Sequence, residues 1–429
     1  MIHVEPAKAV AGHIAVPGDK SISHRALLVG AISEGETAIE GFGRSGDTES
    51  TLAAVRALGA EVAEEDVDQL RVTGRGLRGL GEPEGPIDCG NSGTLLRLLP
   101  GILVGQETGR FELTGDESLL ARPMDRIAEP LARMGAAVET QEGLAPLVVE
   151  AGTPLRGMRY ELPVPSAQVK SCLLLAGLYA SGQTTVAEPV ATRDHTEIML
   201  AAAGAQVRRG PRRVTVRRAE RLSLGRVEVP CDFSSAAPFI VAATLIAGSE
   251  LYVHDVGLNP TRTGLLDVLA RMGARITVFN RRRKGGEAVG DLEVRSAELT
   301  ATAIEPHEVP ALVDELPLFA LAAACARGES VVRGAGELRV KETDRIESVT
   351  TALRALGMRA QARDDGFRVR GVPTRPKGGG VDVAGDHRLA IMGAVAGVVS
   401  REGVRIKGEE VVAVSFPGFF ELLESVTQR

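Results

Sequence analysis

The chain has 429 residues, enough for two or three domains, and its 44% hydrophobic and 25% charged residues are the balance of an ordinary globular protein. A net charge of −6, with 10 Phe, 3 Tyr and no Trp, excludes a general affinity for nucleic acid, which needs excess cations and rings for base stacking. No apolar stretch reaches the about 18–20 residues of a membrane span, and no basic-then-apolar leader opens the chain, so a cytoplasmic protein without a membrane partner is expected.

Taken in order, the first informative segment is Pro17-Gly18-Asp19-Lys20-Ser21-Ile22-Ser23-His24-Arg25. A Pro-Gly break leads into an apolar-periodic helix whose first turn holds two cations and two hydroxyls. Helix N-termini offer unpaired N–H groups and partial positive charge, so this turn suits a phosphate or carboxylate. A capped helix with solvated charges is the plainer alternative. Next comes Gly41-Phe42-Gly43-Arg44-Ser45-Gly46, which matches the dinucleotide pattern G-x-G-x-x-G, with Glu64 and Glu65 at the distance of a ribose contact. The strand before it, Thr37 to Ile39, is short and polar-edged, which argues against a central parallel strand and a bound dinucleotide.

Further polar clusters open apolar helices. Asp88-Cys89-Gly90-Asn91-Ser92-Gly93-Thr94 precedes Leu95 to Leu103, a run that carries Arg97. Arg122-Pro123-Met124 sets a guanidinium beside a rigid turn. Pro165-Ser166-Ala167-Gln168-Val169-Lys170-Ser171 precedes Cys172 to Tyr179, and Arg193-Asp194-His195-Thr196-Glu197 opens another helix. The basic runs at 208–226 and 281–284 flank strand-like alternation and read as solvated hairpins. Asp314-Glu315-Leu316-Pro317 and Asp386-His387-Arg388 each lead into apolar helices, and Glu337 to Arg345 precedes a regular helix through Ile346, Val349, Leu353 and Leu356. Capping explains Ser and Asp at such places but not repeated arginine, which the helix dipole disfavours there. A carboxylate between cations, as in Lys341-Glu342-Thr343-Asp344-Arg345, suits proton exchange beside a held anion. Lysine is scarce, 7 against 43 arginines, and three of the seven (Lys20, Lys170, Lys341) fall in these segments.

A phrase also repeats. An amphipathic helix ends in Gly59, Gly135, Gly204, Gly273 and Gly357, each followed by a strand. Between them, Gly35, Gly182 and Gly328, with weaker versions at Gly105, Gly248 and Gly403, join an apolar helix to a strand. Units of about 70 residues divide the chain into six, each a small α/β layer, or two lobes of three. Cys89, Cys172, Cys231 and Cys325 are scattered without a C-x-x-C pair, and the seven histidines show no ligand spacing. Reduced thiols and no metal are expected.

The segments 17–25, 90–94, 166–170, 341–345 and 386–388 resemble, in order and across essentially the whole chain, the 5-enolpyruvylshikimate-3-phosphate synthases. The resemblance implies two lobes, each of three repeated α/β units arranged as an inside-out α/β barrel, with the active site in a cleft between them. Boundaries would fall at 1–18 plus 229–429 for one lobe and 19–228 for the other. It implies transfer of a carboxyvinyl group from phosphoenolpyruvate to the 5-hydroxyl of shikimate 3-phosphate, by addition and elimination, in a monomer with no cofactor.

Carried over by motif, Lys20, Ser21, Arg25, Ser166, Ala167, Gln168, Arg193, Asp314 and Lys341 are implied to bind shikimate 3-phosphate. Lys20, Asn91, Gly93, Thr94, Arg122, Gln168, Glu342, Arg345 and Arg388 are implied to bind phosphoenolpyruvate. Asp314 is the implied base, and Glu342 with Lys20 the carriers of the methylene proton. Ala167, Arg193, Glu337 and Val414 depart from residues many members carry. Two features point opposite ways on the inhibitor glyphosate: 193–197 resembles a class with resistant members, and Gly93 the roomy arrangement of sensitive ones. The alternative is the related transferase acting on UDP-N-acetylglucosamine, which shows Lys-Asn where this chain has Lys20-Ser21 and uses a mobile-loop cysteine.

Overall fold

Each glycine phrase becomes a helix stop followed by an antiparallel hairpin. In the computed structural model, which describes residues 1–429, helices Gly46–Ala57, Asp125–Arg133, His195–Ala202, Gly264–Met272 and Arg345–Ala355 run into Gly59, Gly135, Gly204, Gly273 and Gly357. These glycines have φ between 82° and 99°, a region that side chains with a Cβ resist.

Around each phrase the chain builds the same sheet. Strand Glu36–Glu40 lies parallel to Arg226–Glu228 and antiparallel to Gln69–Thr73, which pairs with Glu61–Asp66. That order recurs around Arg110–Thr114, Gln183–Ala187, Glu250–Gly257 and Gly328–Val332. The sixth sheet differs. Val404–Lys407 lies parallel to Gly379–Asp382, but its antiparallel neighbour is the N-terminal strand Ile2–Val4. The final helix, Phe419–Val426, leads instead to Thr427–Gln428, which pairs with Ala9–Ile14 in another sheet. Six units therefore carry five glycine phrases.

The chain divides into two units: Met1–Pro17 with Cys231–Arg282 and Ala288–Arg429, and Gly18–Pro230 with Arg283–Glu287. The second unit thus includes Gly18, Val229 and Pro230 and the separate segment Arg283–Glu287 beyond the 19–228 boundary read from the sequence. Glu287 belongs there because its carboxylate hydrogen-bonds His195 Nδ1 at 2.7 Å, both groups being buried.

Each unit has its own aliphatic core. In the second unit three helices, Lys20–Ala31, Gly93–Leu103 and Ala167–Gly177, are buried nearly all round. In the first, Phe233–Leu245, Leu316–Ala324 and His387–Val399 are buried in the same way. After their first two turns these helices are almost wholly apolar, which only a fully enclosed helix tolerates. Their polar residues gather mostly in the N-terminal turns. The basic runs form hairpins, and in Arg213–Arg217 only Val214 and Val216 turn inward.

Candidate active site

The polar ends of the buried helices are where the sequence motifs gather. In the second unit, Asp19 caps Lys20–Ala31 by accepting from Ile22 N at 2.9 Å. Lys20, next in line, forms an ion pair with Asp47 at 2.6 Å, a carboxylate in the first turn of Gly46–Ala57. That counter-charge offsets the unfavourable placing of a cation at a helix N-terminus. Ser21 and Lys20 remain partly exposed, whereas Arg25, one turn on, is 4% exposed. Its guanidinium donates to the Ser21 carbonyl (2.8 Å), Thr196 Oγ1 (2.7 Å) and Ser171 Oγ (3.0 Å). Burial lowers its pKa to about 10, with Glu197 opposing, so it stays charged at neutral pH.

The next two buried helices meet at their first turns. Ser92 and Ser166 cap them. Gln168 Nε2 donates to Thr94 Oγ1 at 3.2 Å, and Arg97 Nη1 donates to Gln168 Oε1 at 2.9 Å. Gly93 lies against two guanidiniums: a Cβ there would stand 2.8 Å from Arg97 Nη1 and 3.1 Å from Arg122 Nη1. Arg122 in turn donates to Asn91 Oδ1 (3.3 Å) and Ser118 Oγ (3.2 Å). Asn91, Gly93, Thr94, Arg122 and Gln168 thus form one patch. Ser166 and Ala167 begin the same helix as Gln168, and Arg193 sits half-buried just before helix His195–Ala202.

In the first unit the same logic assembles a second cluster. Asp314 precedes Leu316–Ala324 and lies 3.4 Å from Arg262 Nη1 and 3.9 Å from Arg345 Nη1. Arg345 Nη2 donates to Glu342 Oε2 at 2.5 Å, and Arg345 Nε to Asp386 Oδ2 at 2.8 Å. Asp386 caps His387–Val399 by accepting from Arg388 N at 2.9 Å. Arg388 Nη1 stands 3.9 Å from the buried Glu315 Oε1. Burial pushes the Glu315 carboxyl up despite the cations beside it. Asp314, Glu342, Arg345 and Arg388 are brought together, and Lys341 lies half-buried beside Glu342 at the end of the turn Gly336–Val340.

Sequence reasoning missed the residues that hold these candidates in place. Arg262 links Asp232 (3.0 Å), Ser234 (2.8 Å) and Asp314, although no motif surrounds it. Asp47 was invisible as the partner of Lys20. Arg97 stands out in the sequence as a lone cation in an apolar run, one turn beyond Gly93, but the sequence assigns it no role. The dinucleotide pattern has a structural cause instead. Gly43 packs against the Gly18 backbone, where a Cβ would stand 2.1 Å from the carbonyl oxygen. Glu64 is already paired with Arg44 and Arg56. Cys89, the one thiol near the position of the rival transferase's cysteine, is fully buried, and burial raises its pKa well above the usual thiol range. That opposes a reactive thiolate.

The family model for EPSP synthase (3-phosphoshikimate 1-carboxyvinyltransferase) matches residues 4–423. The 3-phosphoshikimate 1-carboxyvinyltransferase of Alkalilimnicola ehrlichii is 51% identical over 421 residues, covering 98% of this chain and 94% of that protein. That of Methylococcus capsulatus is 48% identical, covering 98% and 96%. The solved EPSP synthase of Acinetobacter baumannii superposes with a TM-score of 0.88 at 40% identity, covering 99% of this chain and 97% of that one. The related UDP-N-acetylglucosamine transferase is not favoured. With its six repeated sheets and its charged residues at buried helix ends, the chain belongs to the EPSP synthase family of 3-phosphoshikimate 1-carboxyvinyltransferases.

Proposed function

We propose that the two clusters divide the family's reaction between them. That reaction moves the carboxyvinyl group of phosphoenolpyruvate to the 5-hydroxyl of shikimate 3-phosphate and releases phosphate. Its reactants bring two phosphates and two carboxylates together, so the enzyme must concentrate positive charge and backbone N–H groups. Lys20, Ser21 and Arg25 hold shikimate 3-phosphate with Ser166, the backbone of Ala167, and Gln168. Arg193, Lys341 and Asp314 complete its contacts. Asn91, Gly93, Thr94, Arg122 and Gln168 hold phosphoenolpyruvate from the second unit. Lys20, Glu342, Arg345 and Arg388 are its remaining contacts.

The chemistry then follows from the groups available. Asp314 takes the proton of the 5-hydroxyl as the oxygen adds to C2 of phosphoenolpyruvate, while C3 gains a proton and becomes a methyl group. In the second step C3 loses a proton and phosphate leaves C2. Glu342 and Lys20 carry that proton in both directions. Fixed cations around the adduct stabilise its charge without reorganising. One observation carries this reading: Lys20, Gly93, Thr94, Gln168 and Arg388 occupy the first turns of buried helices, and Asp314 lies just before one.

The chain is further proposed to act as a monomer in the cytoplasm. Its exposed large apolar side chains, Met1, Val67, Val164, Val340 and Val372, are far apart in sequence, and all four cysteines are free thiols. The test is phosphate release that requires both substrates. Asp314→Asn is expected to lower kcat by about 10²–10⁴-fold, the range for a general base. Intact turnover in Asp314→Asn, with Glu342→Gln inactive, would move the base to Glu342.

A further inference from the structure

Within the second unit one ammonium is fully enclosed inside a buried helix. Lys170, in Ala167–Gly177, is 1% exposed. Its Nζ lies 2.8 Å from Glu197 Oε1, 3.0 Å from Glu188 Oε1 and 3.3 Å from the Thr192 carbonyl. Three acceptors match the three N–H bonds of an ammonium. A planar guanidinium spreads its donors in a fork and could not serve three acceptors around one point. In a chain with 43 arginines and 7 lysines, this position departs from the general bias.

The three acceptors all come from one stretch of chain. Glu188 follows strand Gln183–Ala187, and its other oxygen accepts from Thr192 N at 3.0 Å and from the Thr192 hydroxyl. Glu197 stands in the first turn of His195–Ala202. Residues 188, 192 and 197 are therefore tied to a single cation, and Arg193 lies between the last two ties. The network continues through Thr196, whose hydroxyl accepts from Arg25 Nε at 2.7 Å and shares a 2.6 Å hydrogen bond with Ser171 Oγ. Ser171 follows Lys170 directly, and its hydroxyl accepts from Arg25 Nη2.

We propose that Lys170 is a positioning residue for shikimate 3-phosphate: its ammonium fixes the segment from Glu188 to Glu197, and thereby the geometry in which Arg193 and Arg25 meet the substrate. The inference rests on the reading above that Arg193 and Arg25 bind that ligand. Lys170 itself touches neither reactant. Its loss is expected to loosen the arginines' aim.

The test is calorimetric titration of shikimate 3-phosphate into the full chain without phosphoenolpyruvate. The double variant Lys170→Met/Glu197→Gln removes one positive and one negative charge, so the cluster's net charge is unchanged. Its dissociation constant is expected to rise at least tenfold. In steady state, KM for shikimate 3-phosphate is expected to rise more than kcat falls, whereas mere loss of folded protein lowers kcat alone. Lys170→Arg keeps the charge and guards against misfolding of the double variant; it is expected to weaken binding at least fivefold. Either variant, folded and within twofold of the parent, overturns the proposal if Arg193→Ala binds at least tenfold more weakly. Parent-like binding by Arg193→Ala overturns the reading of the substrate site, and the proposal with it.

Discussion

Arg345 and Asp386 form a closed, two-point pair: Nε donates to Oδ2 at 2.8 Å and Nη2 to Oδ1 at 3.2 Å, with the side chains 3% and 0% exposed. Burial penalises the guanidinium's charge, but Asp386 and Glu342 outweigh it and hold the proton more firmly than usual. Asp386 also caps the helix that carries Arg388, so one carboxylate sets two arginines of the proposed phosphoenolpyruvate site. Asp386→Asn keeps a capping oxygen and loses the charge. We expect kcat/KM for phosphoenolpyruvate to fall at least tenfold and stability to drop by about 1–3 kcal/mol, the cost of weakening a buried charged hydrogen bond. Steady-state kinetics and urea unfolding measure the two effects.

Gly93→Ala tests the patch formed with Arg97 and Arg122. The added methyl would stand 2.8 Å and 3.1 Å from their Nη1 atoms, so both flexible side chains must withdraw. We expect KM for phosphoenolpyruvate to rise about tenfold, equivalent to about 1.4 kcal/mol. Binding of shikimate 3-phosphate alone, followed by calorimetry, should change less than threefold. Glyphosate inhibition compared between this variant and the parent would show whether Gly93 is the steric gate; equal inhibition would show that it is not.

His24 provides a pH signature. It is fully buried with Nδ1 bonded to Thr51 Oγ1 at 2.6 Å, and burial lowers its pKa from 6.5 to about 3. The folded state therefore keeps it neutral while the unfolded chain protonates it. Its contribution is intact above pH 6.5 and is lost as pH falls toward 3, at about 1.4 kcal/mol per pH unit. His24→Leu should be less stable at pH 8, by about 1–2 kcal/mol for the hydrogen bond lost to the buried threonine. Its stability should nevertheless fall less steeply below pH 6.5. Urea midpoints from circular dichroism at pH 8, 6 and 5 check this, and parallel slopes would contradict it.

Gly43→Ala separates the structural meaning of the glycine-rich turn from a nucleotide-binding one. A Cβ 2.1 Å from the Gly18 carbonyl oxygen meets backbone, which cannot rotate away. We expect a loss of about 1–3 kcal/mol or more, typical of overpacking, visible as a lowered unfolding midpoint. Addition of NAD should leave the melting temperature of the parent unchanged; a rise would restore the dinucleotide reading.

Periodicity and end signals made much of the fold legible. The stops at Gly59, Gly135, Gly204, Gly273 and Gly357 and the apolar runs 95–103 (broken only by Arg97) and 316–324 are local features, and local physics placed them correctly. Cations at other helix starts, Lys20, Arg193 and Arg388, were visible as anomalies because a helix N-terminus repels them. Arg262 and Asp47 were not visible, since their meaning lies in partners 52 and 27 positions away. The sixth sheet was equally hidden: nothing near Val404 announces that Ile2–Val4 completes it.

What the chain's order of residues determined by itself was the repeated unit and the chemistry available at each helix start, because turns, caps and apolar stripes depend on neighbours within a few positions. Which carboxylate steadies which arginine was decided only by tertiary structure. Buried charges need partners at hydrogen-bond distance, and that distance is set by how enclosed helices pack side by side.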